Sequence, residues 1–164
     1  MASTKTLDEL FHDTLKDVYF AERKIVETLP KMHEAATNGQ LKAAFEKHLS
    51  ESQVHVERLE QVFKIIGKAP EPKTCDAILG ITKEGAEIME EYEGSPALDA
   101  GLLAAAQAVE HYEMSRYGTL RTWALELGLN DAAGLLQTTL DEEQATDLTL
   151  TSIATSVVNQ NAER

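Results

Sequence analysis

The chain has 164 residues, of which 43% are apolar and 26% charged, the balance of an ordinary globular protein long enough to bury its own core. Its single cysteine, Cys75, excludes an intramolecular disulfide and any CxxC metal or redox motif. With 28 acidic against 15 basic residues the net charge is −13, which argues against nucleic acid as a partner and makes a cation the more natural small ligand. The opening MASTKTLDELFHD lacks an apolar run of signal-peptide length, and no stretch of roughly 18 apolar residues occurs, so a cytoplasmic protein with no membrane partner is expected.

In chain order, the first long segment rich in Ala, Leu, Glu and Lys predicts a helix over Thr6–Thr37, with Pro30 expected to kink it late. A second helix is predicted over Asn38–Ile66, stopping at Gly67. Residues 67–94 open with the proline-bearing GKAPEPKTC and continue into a shorter helix within 76–93. A third long helix is predicted over Ser95–Leu127, with Ser95 as its cap and Pro96 at its first position. The fourth runs over Asn130–Gln160. The first and last connections are very short and the middle one is long. Two antiparallel hairpins joined by one long crossover give an all-α, ferritin-like antiparallel four-helix bundle, read here as a single domain over 1–164.

The two halves repeat at an offset of 91 residues: Val18 meets Val109, Glu22 meets Glu113, Glu51 meets Glu142 and Leu59 meets Leu150. Several of these glutamates stand on apolar seams. Glu22 follows Leu7, Phe11, Leu15 and Val18 at steps of three or four. The second helix places Glu51 or Ser52 between His48 and His55. The third carries Glu113, with Glu110 one turn earlier. The fourth admits two phases, one through Glu142 and another through Glu143 and Asp147. Buried unpaired carboxylates are costly and repel one another. Divalent ions would compensate, since two of them balance four carboxylates; the alternative is that the seams are misphased and the glutamates reach solvent. The candidate ligands are therefore Glu22, Glu51, Glu113 and Glu142, with Glu110 as a further carboxylate and His55, four residues after Glu51, as either a ligand or a core histidine. His48 is read as a supporting residue behind the ligands. Tyr19 and Tyr112 are read as packing aromatics or nearby hydrogen-bond donors.

The stretches LFHDTLKDVYFAERKIVETLPKM, HLSESQVHVERLEQVFKIIG, AAAQAVEHYEMSRYGTLRTWALELG and LLQTTLDEEQATDLTLTSIA resemble the YciF-type stress proteins of bacteria, within the ferritin-like superfamily. That resemblance implies a ferritin-like bundle, a homodimer and kinship to rubrerythrin. Rubrerythrin-like sites would correspond to Glu22, Glu51, the pair Glu110 and Glu113, and Glu142. Two departures stand out. The positions three residues after Glu51 and Glu142 are Val54 and Ala145, not histidines, and no four-cysteine rubredoxin module follows to deliver electrons. The expected protein holds two iron or manganese ions, reacts with peroxide or dioxygen, and draws electrons from a separate donor protein. The alternatives are a non-enzymatic oligomeric stress-response protein whose metals hold the bundle, and a metal-free interaction module.

Overall fold

The computed structural model describes residues 5–164. Thr6 opens α1 (Leu7–Ala35), its backbone N–H donating to Glu9 Oε2 at 2.8 Å. The helix continues through Pro30 for a further turn. Asn38 caps α2 (Gly39–Ile65), its side chain accepting from the N–H groups of Gln40 and Leu41. Gly67, at φ +68°, ends α2 in the left-handed conformation that lets Lys68 N–H reach back to Phe63 O. The crossover then carries α3 (Asp76–Glu91).

The next helix starts later than the sequence suggests: α4 spans Leu98–Glu126. Ser95 and Pro96 form a turn before it, in which Ser95 Oγ accepts from Ala97 N–H and Ser95 O from Leu98 N–H. Asp99, in the first turn of α4, accepts from the N–H of Thr37 and of Asn38, tying the α1–α2 connection to this end of the bundle. Finally α5 (Asn130–Ile153) widens into a π-helical turn over Ala154–Val158 and closes with the short α6 (Asn159–Ala162).

All elements among the described residues are helical. Neighbouring pairs are α1 with α2, α4 with α5, α2 with α5, and α1 with α4, while α3 lies across α1 and α4 on the outside. Two apolar cores result. One joins Phe11 and Leu15 of α1 to Leu59 and Phe63 of α2, Leu120 of α4 and Leu136 of α5. The other joins Leu29, Leu41, Phe45, Leu102 and Leu150 at the opposite end, with Cys75 and Ile78 from the crossover. The start of α1 thus meets the end of α4, and the end of α2 meets the start of α5. Each fully buried leucine or phenylalanine contributes about 2 kcal/mol. At the crossing of α3 and α4 a Cβ on Gly101 would lie 2.6 Å from Ile88 Cγ2, so a larger residue here would force Ile88 to shift. No helix among the described residues is long and apolar enough to cross a membrane.

The repeat is visible in what is buried. Leu41, Phe45, His48, Ser52, His55 and Leu59 of α2 are buried, and so are Ala132, Leu136, Thr139, Glu143, Thr146 and Leu150 of α5, each 91 residues later. Phe11, Leu15, Val18, Tyr19 and Glu22 of α1 correspond in the same way to Leu102, Ala106, Val109, Glu110 and Glu113 of α4.

Candidate metal centre

Between the two apolar cores lies a buried polar layer. Glu22 comes from α1, His48, Ser52 and His55 from α2, Glu110 and Glu113 from α4, and Glu143 from α5. Each sits at a helical step from core residues, so the same geometry that buries the leucines buries these groups.

The layer resolves into two overlapping groups. His48, Glu110, Glu113 and Glu143 each offer a ligand atom within 4.8 Å of the others, and so do Glu22, His55 and Glu143. Glu143 belongs to both. His48 Nδ1 is 2.9 Å from Glu110 Oε1, and its Nε2 is 3.7 Å from Glu113 and 3.8 Å from Glu143. His55 Nδ1 is 2.8 Å from Glu143 Oε1 and 3.2 Å from Glu22 Oε1. Close as these atoms are, most do not point at one another as hydrogen bonds require. Both oxygens of Glu110, Glu113 and Glu143, both nitrogens of His48, and Glu22 Oε2, His55 Nδ1 and Ser52 Oγ have no hydrogen-bond partner. Buried polar atoms are ordinarily paired. A cluster of orphaned oxygens and imidazole nitrogens converging on two points fits a pair of divalent ions: four carboxylates balance two such charges, and Glu143 can touch both.

Protonation in the metal-free protein follows from the crowding. Burial pushes the Glu110 carboxyl up to about 12, helped by the facing Glu143. Burial also carries Glu113 well above the usual range, reinforced by Glu143, Glu22 and Glu110. Burial works against ionised Glu143 too, but contacts with protonated Glu110 and with His55 outweigh it and hold Glu143 at about 2. Burial disfavours the His55 cation, yet Glu143 and Glu22 overcome this and raise His55 to about 10. For His48 burial prevails and lowers it. Tyr117 Oη donates to Glu22 Oε1 at 2.6 Å, and its phenol is driven upward by burial and then by Glu22 and Glu113.

The residues singled out from sequence divide into two sets. Glu22, Glu110, Glu113 and His55 are brought together in the layer. Glu51 and Glu142 lie at its rim. Glu51, with 21% of its side chain exposed, pairs with Lys47 and accepts from Thr146 Oγ1. Glu142, 30% exposed, is clasped by Arg58 through two N–H···O contacts of 2.6 and 2.9 Å and holds His55 Nε2 at 2.8 Å. The Arg58 guanidinium, then His55, keep the Glu142 carboxyl below the usual range. Of the two phases open to α5, the buried one runs through Glu143. Asp147 faces outward, accepting from Gln107 and pairing with His111. His48 stands in the layer itself rather than behind it. Tyr19 donates to Glu60 and Tyr112 to Asp17, so neither reaches the buried carboxylates; the tyrosine that does is Tyr117.

A polar layer of carboxylates and imidazoles sealed at mid-height in a helical bundle defines the class: a helical-bundle protein with a candidate metal centre. The chain belongs to the family described as a domain of unknown function, DUF892, whose model matches residues 6–163. It is 42% identical to Protein YciF of Escherichia coli over 160 residues, covering 97% of this chain and 96% of that protein. The crystal structure of the E. coli stress protein YciF superposes with a TM-score of 0.90 at 41% identity, covering 95% of this chain and 99% of YciF. YcfI from Rhodopseudomonas palustris matches equally, with a TM-score of 0.90, 45% identity and coverage of 93% and 98%. A protein from Xanthomonas campestris shares the fold at a TM-score of 0.73 and 18% identity.

Proposed function

We propose that this chain is a ferritin-like, two-metal carboxylate protein of the bacterial stress response, holding two iron or manganese ions and reacting with peroxide or dioxygen. One observation carries the reading: the buried layer of four glutamates and two histidines whose ligand atoms lack hydrogen-bond partners and fall into two groups sharing Glu143. Carboxylate-dominated donors suit iron and manganese better than zinc or copper(I). The direction of the helices, with α1 antiparallel to both α2 and α4 and a crossover running the length of the bundle, supports the ferritin-like arrangement. The kinship to the stress protein YciF supports the physiological context.

In this reading Glu110, Glu113 and His48 would hold one ion and Glu22 and His55 the other, with Glu143 within reach of both groups. The ions would supply one-electron chemistry toward an oxygen-containing oxidant. The protein's own residues do the rest. Tyr117 orients Glu22 by donating to Oε1. Glu142, fixed by Arg58, accepts from His55 Nε2 and so turns Nδ1 inward. The flanking apolar cores exclude bulk water. Electrons come from a separate donor protein, and the unit is a cytoplasmic homodimer, built from one domain per chain.

Anaerobic loading with Fe(II) or Mn(II), followed by metal quantification and anomalous scattering from crystals, tests the reading. Two ions per chain in the layer are expected. Binding of well under one ion per chain refutes it.

A further inference from the structure

A narrow cavity of about 20 Å³ lies between α1, α3 and α4, walled by Ile25, Leu29, Met32, Gly85, Ala106 and Val109, with His48 among its lining residues. No polar atom contributes to its wall. Two threonines at its edge offer nothing to a guest, because Thr28 Oγ1 donates to Lys24 O and Thr82 Oγ1 to Ile78 O, both at 2.8 Å. The nitrogens of His48 face Glu110, Glu113 and Glu143, which leaves ring carbon for the cavity side. The space suffices for one small molecule, but water needs two or more polar partners and finds none. Hydrogen peroxide, which must also keep its hydrogen bonds, is excluded on the same ground.

We infer that this cavity is a binding and entry site for dioxygen, which reaches the polar layer past the His48 ring from the α3 side. The inference rests on the two-metal reading and narrows it: of the two oxidants, the apolar one has a built route. The two Fe(II) ions that the layer's carboxylates and histidines would hold would supply the two electrons that, with two protons, convert dioxygen to hydrogen peroxide.

Xenon, an apolar probe of similar size, tests the cavity without any metal. Crystals of the full-length metal-free protein under xenon pressure should show one xenon atom beside His48, and Ala105→Leu, which projects into the cavity from α4, should abolish it. No xenon at this position overturns the site even if the metal centre is real. In anaerobically Fe(II)-loaded protein, stopped-flow oxidation by dioxygen, with catalase present, is then compared with oxidation by peroxide alone. Ala105→Leu should slow the dioxygen reaction relative to the peroxide reaction by about tenfold, as expected when access is gated. Equal effects on both oxidants, or no effect on either, overturn the route. If Ala105→Leu fails to fold, Ile81→Trp at the half-exposed mouth serves the same comparison. Failure to bind Fe(II) would strike the two-metal reading and leave the xenon result standing by itself.

Discussion

Replacing Glu110 by Gln should stabilise the metal-free protein at neutral pH. The Glu110 carboxyl titrates at about 12 when folded and at its ordinary 4.5 when unfolded. A carboxyl with a raised folded value imposes no penalty below 4.5. Above that, folding must take up a proton, and the cost grows with pH until the folded value is reached. From 4.5 to pH 7 the cost is about 1.4 kcal/mol per unit, or about 3 kcal/mol. It does not depend on how far above 7 the folded group titrates. Glutamine keeps the shape and discards the proton; imperfect pairing of its amide gives back about 1 kcal/mol. The net gain at pH 7 is then about 2 kcal/mol, or about 1 M in the urea midpoint for a slope near 2 kcal/mol/M. Urea unfolding of chelator-treated wild type and Glu110→Gln at pH 4.5 and pH 7 checks this. The variant should gain on wild type between the two pH values. A difference that is the same at both, or that moves the other way, refutes the claim that Glu110 is buried as a protonated acid. With Mn(II) present the order should reverse, because the variant loses a ligand while saturating metal adds about 3 kcal/mol to wild type at a hundredfold excess over Kd.

Glu143→Ala should abolish binding of both ions in calorimetric titration with Mn(II), whereas Glu142→Ala should retain both with weakened affinity, since it touches His55 from outside. His48→Ala and His55→Ala should each reduce the stoichiometry from about two ions to about one, as read by metal analysis after gel filtration. Binding should release the protons that Glu110, Glu113 and His55 carry near pH 7, so affinity should rise with pH through the neutral range; titrations in buffers of different ionisation enthalpy count the protons. Tyr117→Phe, which removes the 2.6 Å contact to Glu22, should cost about 1–2 kcal/mol in metal-free urea unfolding.

Much of the fold was legible because apolar spacing and turn residues agree over long stretches. The helix end at Gly67 and the helix within 76–93 follow from local chemistry, and Asn38, expected as the first residue of the second helix, is instead its cap. The start of α4 did not. Ser95-Pro96 carries the signature of a cap and first position, but Ser95 is spent on a turn. Asp99, which has no mark in the sequence, anchors the first turn of α4 to the α1–α2 connection. On two helices the buried polar layer runs one residue away from the glutamates that the sequence singles out. The 91-residue offset pairs Glu51 with Glu142 as identical residues, the more conspicuous match. The buried pair at the same offset is Ser52 and Glu143, which differ. Steps of four and three through His48, Ser52 and His55 carry the seam past Glu51. The same steps on α5 select Thr139, Glu143 and Thr146. A signal was available there: only the Glu143 phase lines up with the α2 phase that buries both histidines.

The displacement of Glu51 and Glu142 to the rim explains how the layer can be both charged and closed. A glutamate at position 52 would add a fifth buried carboxylate to the four that, in the proposed reading, two divalent ions would balance. Serine stands there instead, fully buried. The acidic residues one step outward meet Lys47 and Arg58 at the half-exposed edge, where ion pairs need not be stripped of all their water. Both histidines come from α2, on either side of Ser52, so each group receives one neutral nitrogen once His55 gives up its proton. The pseudo-symmetry of the backbone is therefore not carried into the chemistry: α5 places Thr139 and Thr146 where α2 places His48 and His55. The two groups consequently differ. One gathers Glu110, Glu113 and His48 around the shared Glu143, and the other only Glu22 and His55. The group with fewer protein ligands should bind its ion more weakly and be the first to lose it as the pH falls.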